Sequence, residues 1–244
     1  MKRQQVLIAP FYIKEKLLEE GIPFVLKDKQ VYLPFIGYLL SNENERKISP
    51  VHLISFLTQK VILVAIYEKW ENVTASKAAI RLGVTKMSAN RCFDEIEYLN
   101  VDILGMKGKS RVITVPADIQ KLWNDVRVIL RNPVIARYEL KEDIQLGKKA
   151  GITALCEYSL LSDNEYPTYA ITKKEITESG IRKMKQVHSG EEIGCVVLEL
   201  GYFIDFKNKK LEDPLSVTLS LTESEKQDER IGISIKRMLE EYVW

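Results

Sequence analysis

Apolar positions along the chain switch between two spacings, and the switches mark its organisation. Residues 6–9 form a short apolar run of strand type, and 12–20 carry apolar positions at helical spacing as far as Gly21. Segments 22–25 and 30–33 flank Lys27-Asp28-Lys29, and β-branched and aromatic residues on both sides of turn formers predict a hairpin. The polar stretch 41–47, SNENERK, predicts a linker or exposed loop.

From Ser49 the spacing is helical. Ser49-Pro50 offers a cap followed by the residue suited to a first helical position, and Leu53, Phe56, Leu57, Val61, Val64 and Ala65 predict a helix reaching about Trp70. Helices are also predicted over 74–82 and 85–99, parted by Gly83. Strands over 102–106 and 111–115 then surround Lys107-Gly108-Lys109, and Ile119, Leu122, Val126 and Ile129 carry a further helix over 116–130. Asn132-Pro133 marks a second boundary. Beyond it, extended segments (134–140, 168–172, 193–203) alternate with helical ones (147–160, 173–187, 216–244). Thr222 with Glu225 reads as a capping box, and Ile231, Ile235, Met238 and Tyr242 form a stripe along the last helix.

The segment 75–98, ASKAAIRLGVTKMSANRCFDEIEY, carries the most information. Two helices crossing at a sharp turn need a small residue where one passes over the other and a Gly where the backbone turns left-handed. Ala79 and Gly83 supply both. Ala78, Leu82, Val84, Ala89, Cys92, Phe93 and Ile96 would face inward, which leaves Thr85, Lys86, Met87, Ser88, Asn90 and Arg91 outward on the second helix. Hydrogen-bonding and cationic side chains on the N-terminal half of a helix suit base edges and phosphates in a major groove. Asp94, Glu95 and Glu97 occupy the other half and would clear the backbone. Lys107, Lys109 and Arg111 surround the tight turn between the two short strands, as a phosphate-contacting wing requires. Ser76 and Lys77, at the start of the first helix, join these backbone contacts, and Thr74 reads as its cap.

The predicted class is therefore α+β: an α/β segment over 1–47, a winged helix-turn-helix over 48–131, and a mixed α/β domain over 132–244 for sensing or partner binding. Double-stranded DNA is the expected partner. The two-fold logic of helix-turn-helix proteins on palindromic sites admits a homodimer.

Composition narrows the picture by exclusion. With 244 residues, 45% of them hydrophobic, and 36 Lys plus Arg against 34 Asp plus Glu, the chain is neither disordered nor a polycation. The net +2 conceals its parts: 72–116 holds seven cations and four acids, and 211–244 holds four cations and eight acids. The latter segment predicts a solvated acidic face. Cys92, Cys156 and Cys195 are scattered and odd in number, and His52 and His188 lack ligand-spaced neighbours, so no disulfide framework, metal or cofactor is expected. Met1-Lys2-Arg3 and the run 6–13 start like a secretory signal, but Pro10 and Lys14-Glu15-Lys16 break the pattern. The apolar stretch 51–67 is split by Gln59 and Lys60 and falls short of the roughly 20 residues of a membrane span. A cytoplasmic protein without membrane association is expected.

The 45 residues around this motif resemble the winged-helix regulators grouped with the MarR family. A wider resemblance carries GIPFVLKDKQVYLPF (21–35), the winged helix, Ala150-Gly151-Ile152-Thr153-Ala154-Leu155 and Tyr166-Pro167-Thr168-Tyr169-Ala170. It is similar to the antitoxin-type regulators of bacterial abortive-infection (AbiE) systems. That resemblance implies autorepression by the winged helix and a C-terminal domain that counteracts a nucleotidyltransferase-like toxin. The residues themselves place 151–155, Tyr158 and Leu161 in a helix packed on a sheet, and leave Tyr166–Tyr169 either lining a pocket or leading into an edge strand. A metal-dependent nuclease is the other alternative: Glu139-Leu140-Lys141 ends a predicted strand and needs a second acid, for which Asp118 or Asp143 would serve. No phosphate loop, nucleophile elbow or histidine dyad accompanies it, and the expectation is of a protein that is not an enzyme.

Overall fold

A helix whose apolar residues are spread around its whole circumference has to lie largely inside a protein, and α1 (Phe56–Tyr67, FLTQKVILVAIY), interrupted by Thr58, Gln59 and Lys60, is such a helix. In the computed structural model Val61, Ile62, Leu63, Val64, Ala65 and Ile66 are all buried. One continuous apolar core gathers around them, with Ala78 and Phe93 in it as well as Leu155, Leu215 and Met238. The structure describes residues 17, 20–26, 30–33, 38–41, 53–162, 165–188 and 190–244, in two compact units, Met1–Ile48 and Ser49–Trp244. The protein is α+β.

In the first unit β1 (Phe24–Leu26), β2 (Gln30–Leu33) and β3 (Tyr38–Ser41) form an antiparallel meander. The hairpin expected around Lys27-Asp28-Lys29 is its first half. β3 is an addition, and it takes Ser41 out of the expected loop. Leu17 is helical, and the Ile22 amide donates to the Leu17 carbonyl at 2.9 Å across Gly21, whose φ of 65° supplies the helix stop. The strand expected over 6–9, most of the helix over 12–20, the loop 42–47, Ser49-Pro50 and His52 lie outside the described residues.

In the second unit α1 starts later than Ser49-Pro50 suggests. Ser55 caps it, its Oγ accepting the Thr58 amide at 3.2 Å, while Leu53 stands exposed before it. Then follow β4 (Val73–Thr74), α2 (Ala75–Leu82), α3 (Lys86–Tyr98), β5 (Leu104–Lys107) and β6 (Ser110–Ile113), with an antiparallel sheet in the order β4-β6-β5. α4 (Ile119–Val126) is shorter than 116–130: Asp118 caps its start, accepting the Lys121 amide at 2.8 Å, and it ends at Val126.

Next come β7 (Val134–Leu140), β8 (Lys148–Lys149), α5 (Gly151–Tyr158), β9 (Thr168–Ile171), α6 (Lys173–Ser179) and β10 (Cys195–Leu200). The chain closes with α7 (Pro214–Ser220), α8 (Glu223–Gln227) and α9 (Glu229–Tyr242). The sheet order is β7-β10-β9-β8, with β10 parallel to β9 and the other pairs antiparallel. β10 is buried along its length, as the run CVVLEL requires of a strand covered on both faces. Cys195 and Val197 pack with Leu140, Ile171 and Ile176, whereas Val196, Leu198 and Leu200 pack with Ala150 and Ala170 on the opposite face.

Three expectations are corrected in this half. Residues 147–149 do not open the helix: Lys148 and Lys149 pair with β9, and α5 starts only after the Ala150 amide has donated to the Thr168 carbonyl at 2.9 Å. Tyr166-Pro167 leads into β9, which lies between β10 and β8 and is not an edge. The helical character of 173–187 stops at Gly180, apart from the short 3-10 turn Ile181–Lys183.

Candidate nucleic-acid interface

The α2–α3 pair is set by three local devices. Thr74 and Thr85 cap the two helices, accepting the amides of Lys77 at 3.4 Å and Ser88 at 3.1 Å. Gly83, at φ 65°, turns the chain between them, and the Val84 amide returns to the Ala79 carbonyl at 3.0 Å. Ala78, Ala79, Ala89, Cys92, Phe93 and Ile96 are buried, and Leu82 and Val84 pack against the same core.

What this packing leaves outside is the N-terminal half of α3. Thr85, Lys86, Met87 and Arg91 are exposed and Ser88 and Asn90 half-buried. The hydroxyls of Thr85 and Ser88 bond to each other at 2.9 Å, so both are engaged at the cap. An Arg91 guanidinium nitrogen lies 3.9 Å from the Met87 sulfur. On α2, Ser76 is half-buried and Lys77 exposed. Lys107 and Lys109 are exposed on the turn of the β5–β6 hairpin, where Gly108 adopts φ 60°. Among the described residues, Lys77, Lys86, Arg91, Lys107 and Lys109 form no ion pair.

Arg111 is placed differently from the other expected contacts. Its side chain is only 14% exposed, and its guanidinium meets Asp94 at 2.7 Å and Glu97 at 2.6 Å. The same group lies 3.5 Å from the Asn90 carbonyl and 5.9 Å from the Phe93 ring centre. Arg111 therefore ties the hairpin to α3. The acids of α3 have structural work as well, since Glu95 accepts the Ser55 amide at 3.0 Å and so joins α3 to the start of α1. In the sequence these acids stand out only as clear of a backbone. The signal that could have found them is the spacing of Asp94 and Glu97, which puts both on one helix face beside a strand bearing an arginine.

At the other end of α2, Arg81 pairs with Glu68, whose second oxygen accepts the Trp70 indole N–H at 2.8 Å. Two further acids are wholly interior. Asp213 accepts the Tyr67 hydroxyl at 2.6 Å and the Ser216 amide at 3.0 Å. Glu212 accepts the Gly151 amide at 3.0 Å through one oxygen, while its other oxygen is buried without a partner. Burial pushes the Glu212 carboxyl up to about 8 and raises Asp213 as well. Two of the eight acids in the segment expected to be a solvated face are thus core groups. The residues of the nuclease alternative are dispersed in other roles: Glu139 pairs with Arg137 at 3.1 Å, Lys141 with Glu191 at 2.5 Å, Asp118 caps α4, and Asp143 accepts the Gln145 amide at 3.1 Å. No group of three or more His, Cys, Asp or Glu residues able to hold a metal occurs among the described residues. No helix among them is long and apolar enough to cross a membrane.

Comparison with family models, with curated proteins and with solved structures gives no match for the chain.

Proposed function

We propose that the protein is a sequence-specific DNA-binding regulator, acting as a repressor, in which α2 and α3 form a helix-turn-helix and β5–β6 its wing. The observation that carries this reading is the division of α3: a buried side locked into the core, an N-terminal half presenting Met87, Asn90 and the exposed Lys86 and Arg91, which form no ion pair among the described residues, and a basic hairpin tied to the same helix by Arg111. α3 enters the major groove by its N-terminal half. Arg91 reaches a guanine edge and Asn90 an adenine edge, while Lys77, Lys86, Lys107 and Lys109 neutralise phosphates. Repression follows from occupancy, since a bound protein excludes the transcription machinery.

Selection of bound duplexes from a random-sequence pool tests the reading. Enrichment of one motif, and loss of its binding in Arg91→Ala, is the expected result; a pool that stays random after repeated rounds overturns it. The symmetry of the enriched motif also reports whether one copy or two engage it.

A further inference from the structure

A second basic surface stands apart from the hairpin, on the loop between β10 and α7. Its sequence is Asp205-Phe206-Lys207-Asn208-Lys209-Lys210. Lys207, Lys209 and Lys210 are exposed and form no ion pair among the described residues.

The loop is held in place. The Phe206 ring packs on Tyr67, at the C-terminal end of α1, with 4.6 Å between ring centres. The Asn208 side chain accepts the Lys210 amide at 3.0 Å, and the Lys210 carbonyl accepts the Lys149 amide at 2.9 Å. Lys207 lies over the Phe206 ring, its ammonium 5.7 Å from the centre. Asp205 pairs with Lys148 at 3.4 Å and Glu157 with Lys149, while Glu212 and Asp213 are in the core.

The loop sits at the same end of α1 as the turn that leads into α3. Tyr67 carries Phe206, and the adjacent Glu68 carries Arg81 in the last turn of α2. Lys60, on α1, lies within electrostatic reach of Asp205 and Lys148 as well as Arg81. Arg81 and Lys148 are paired with Glu68 and Asp205, which leaves Lys207, Lys209 and Lys210 as cations at this end of α1 without an ion pair among the described residues.

We propose that Lys207, Lys209 and Lys210 contact the phosphate backbone of the bound duplex outside the segment read by α3. The proposal rests on the DNA-binding reading above. A lysine that neutralises a phosphate releases a counterion, so each contact adds about 0.9 to the slope of log affinity against log salt, without regard to sequence. Three ammonium groups on one pinned turn add affinity and lengthen the footprint while leaving base preference to α3.

The test uses the full chain, the selected duplex with flanking base pairs, and binding measured over a series of KCl concentrations. Lys207→Gln/Lys209→Gln/Lys210→Gln is expected to lower the slope by about 2–3 and to leave the selected motif unchanged. Lys173→Gln/Lys174→Gln/Lys185→Gln removes the same charge from and beyond α6, whose Ile176 covers the opposite face of the large sheet from Ala150, and is expected to keep the wild-type slope. Trimming the flanks should bring the wild-type slope down to that of the loop variant. A loop variant with the wild-type slope, or two triple variants that fall equally, overturns the proposal while the reading of α3 stands. A wild-type chain that binds no duplex at any salt overturns both.

Discussion

Arg111 in β6 closes on Asp94 in α3 at 2.7 Å, with Glu97 completing the clamp at 2.6 Å. A phosphate approaching this arginine would have to displace two carboxylates that already satisfy it. On the DNA-binding reading proposed above, the residue acts only through the position of the hairpin. Its pairing is partly shielded, with the arginine 14% exposed and the acids 32% and 45%, so its worth falls between that of surface and buried ion pairs. Arg111→Gln is expected to cost about 1–2 kcal/mol in chemical unfolding. The salt slope of DNA binding should change by less than in Lys107→Gln or Lys109→Gln. A slope that falls by a full unit with stability intact would restore Arg111 to the phosphate.

On the proposed DNA-binding reading, Arg91 and Lys109 divide the work of recognition and attraction. Arg91 stands on the exposed face of α3 and Lys109 on the turn of the β5–β6 hairpin; in the proposed complex the first would meet base edges and the second only phosphates. Arg91→Ala should lower affinity for the selected motif by about 1–3 kcal/mol and relax preference at one base pair. Lys109→Ala should weaken selected and scrambled duplexes alike. Titration of both variants against both duplexes separates the roles, and parallel losses on the two DNAs would deny Arg91 its base contact.

How far these roles could be read in advance depends on distance along the chain. Gly83, the Thr74 cap, the helix pair and the strands flanking Lys107-Gly108-Lys109 are local, each fixed by residues within a few positions. The capping box of Thr222 and Glu225 was legible for the same reason. The start of α1 was not, because two Ser-led segments compete and the one at Ser55 has a tertiary partner, Glu95, forty residues away. β4 and β8, of two residues each, have no period to detect and exist only through their pairing with β6 and β9. Gln59 read as an interruption of an apolar helix. It is buried, bonding to the Arg131 backbone and to the Tyr202 hydroxyl at 2.9 Å, a residue 143 positions on. Arg111 belongs to the same class, since its charge is visible in sequence and its partners are not.

Glu212 makes stability depend on pH in an unusual direction. Desolvation raises its folded pKa to about 8 from an ordinary value of 4.5, so between these limits the unfolded chain releases a proton that the folded chain retains. Stability is then full below about pH 4.5 and is lost as pH rises toward 8, and Asp213, also raised by desolvation, contributes with the same sign. Glu212→Gln keeps an acceptor for the Gly151 amide and removes the titration. Chemical unfolding at pH 5 and pH 8 should show the wild type losing about 2–4 kcal/mol more than the variant. Equal losses would mean that Glu212 ionises in the fold at little cost.

Met87 offers a test of base reading by shape. It is 67% exposed in the first turn of α3, and its sulfur lies 3.9 Å from the Arg91 guanidinium, so an apolar thioether and a forked donor present themselves together. In a major groove the apolar partner available to a thioether is the thymine methyl group, and the partner of the fork is guanine. The selected motif should therefore carry a thymine neighbouring the base pair at which Arg91→Ala relaxes preference. Replacing that thymine by deoxyuridine removes one methyl group and no hydrogen bond. The wild type should lose affinity for the uridine duplex, while Met87→Ala binds both duplexes at the same reduced level. If the wild type does not distinguish them, Met87 faces backbone rather than base, and the register of α3 in the groove must be turned accordingly.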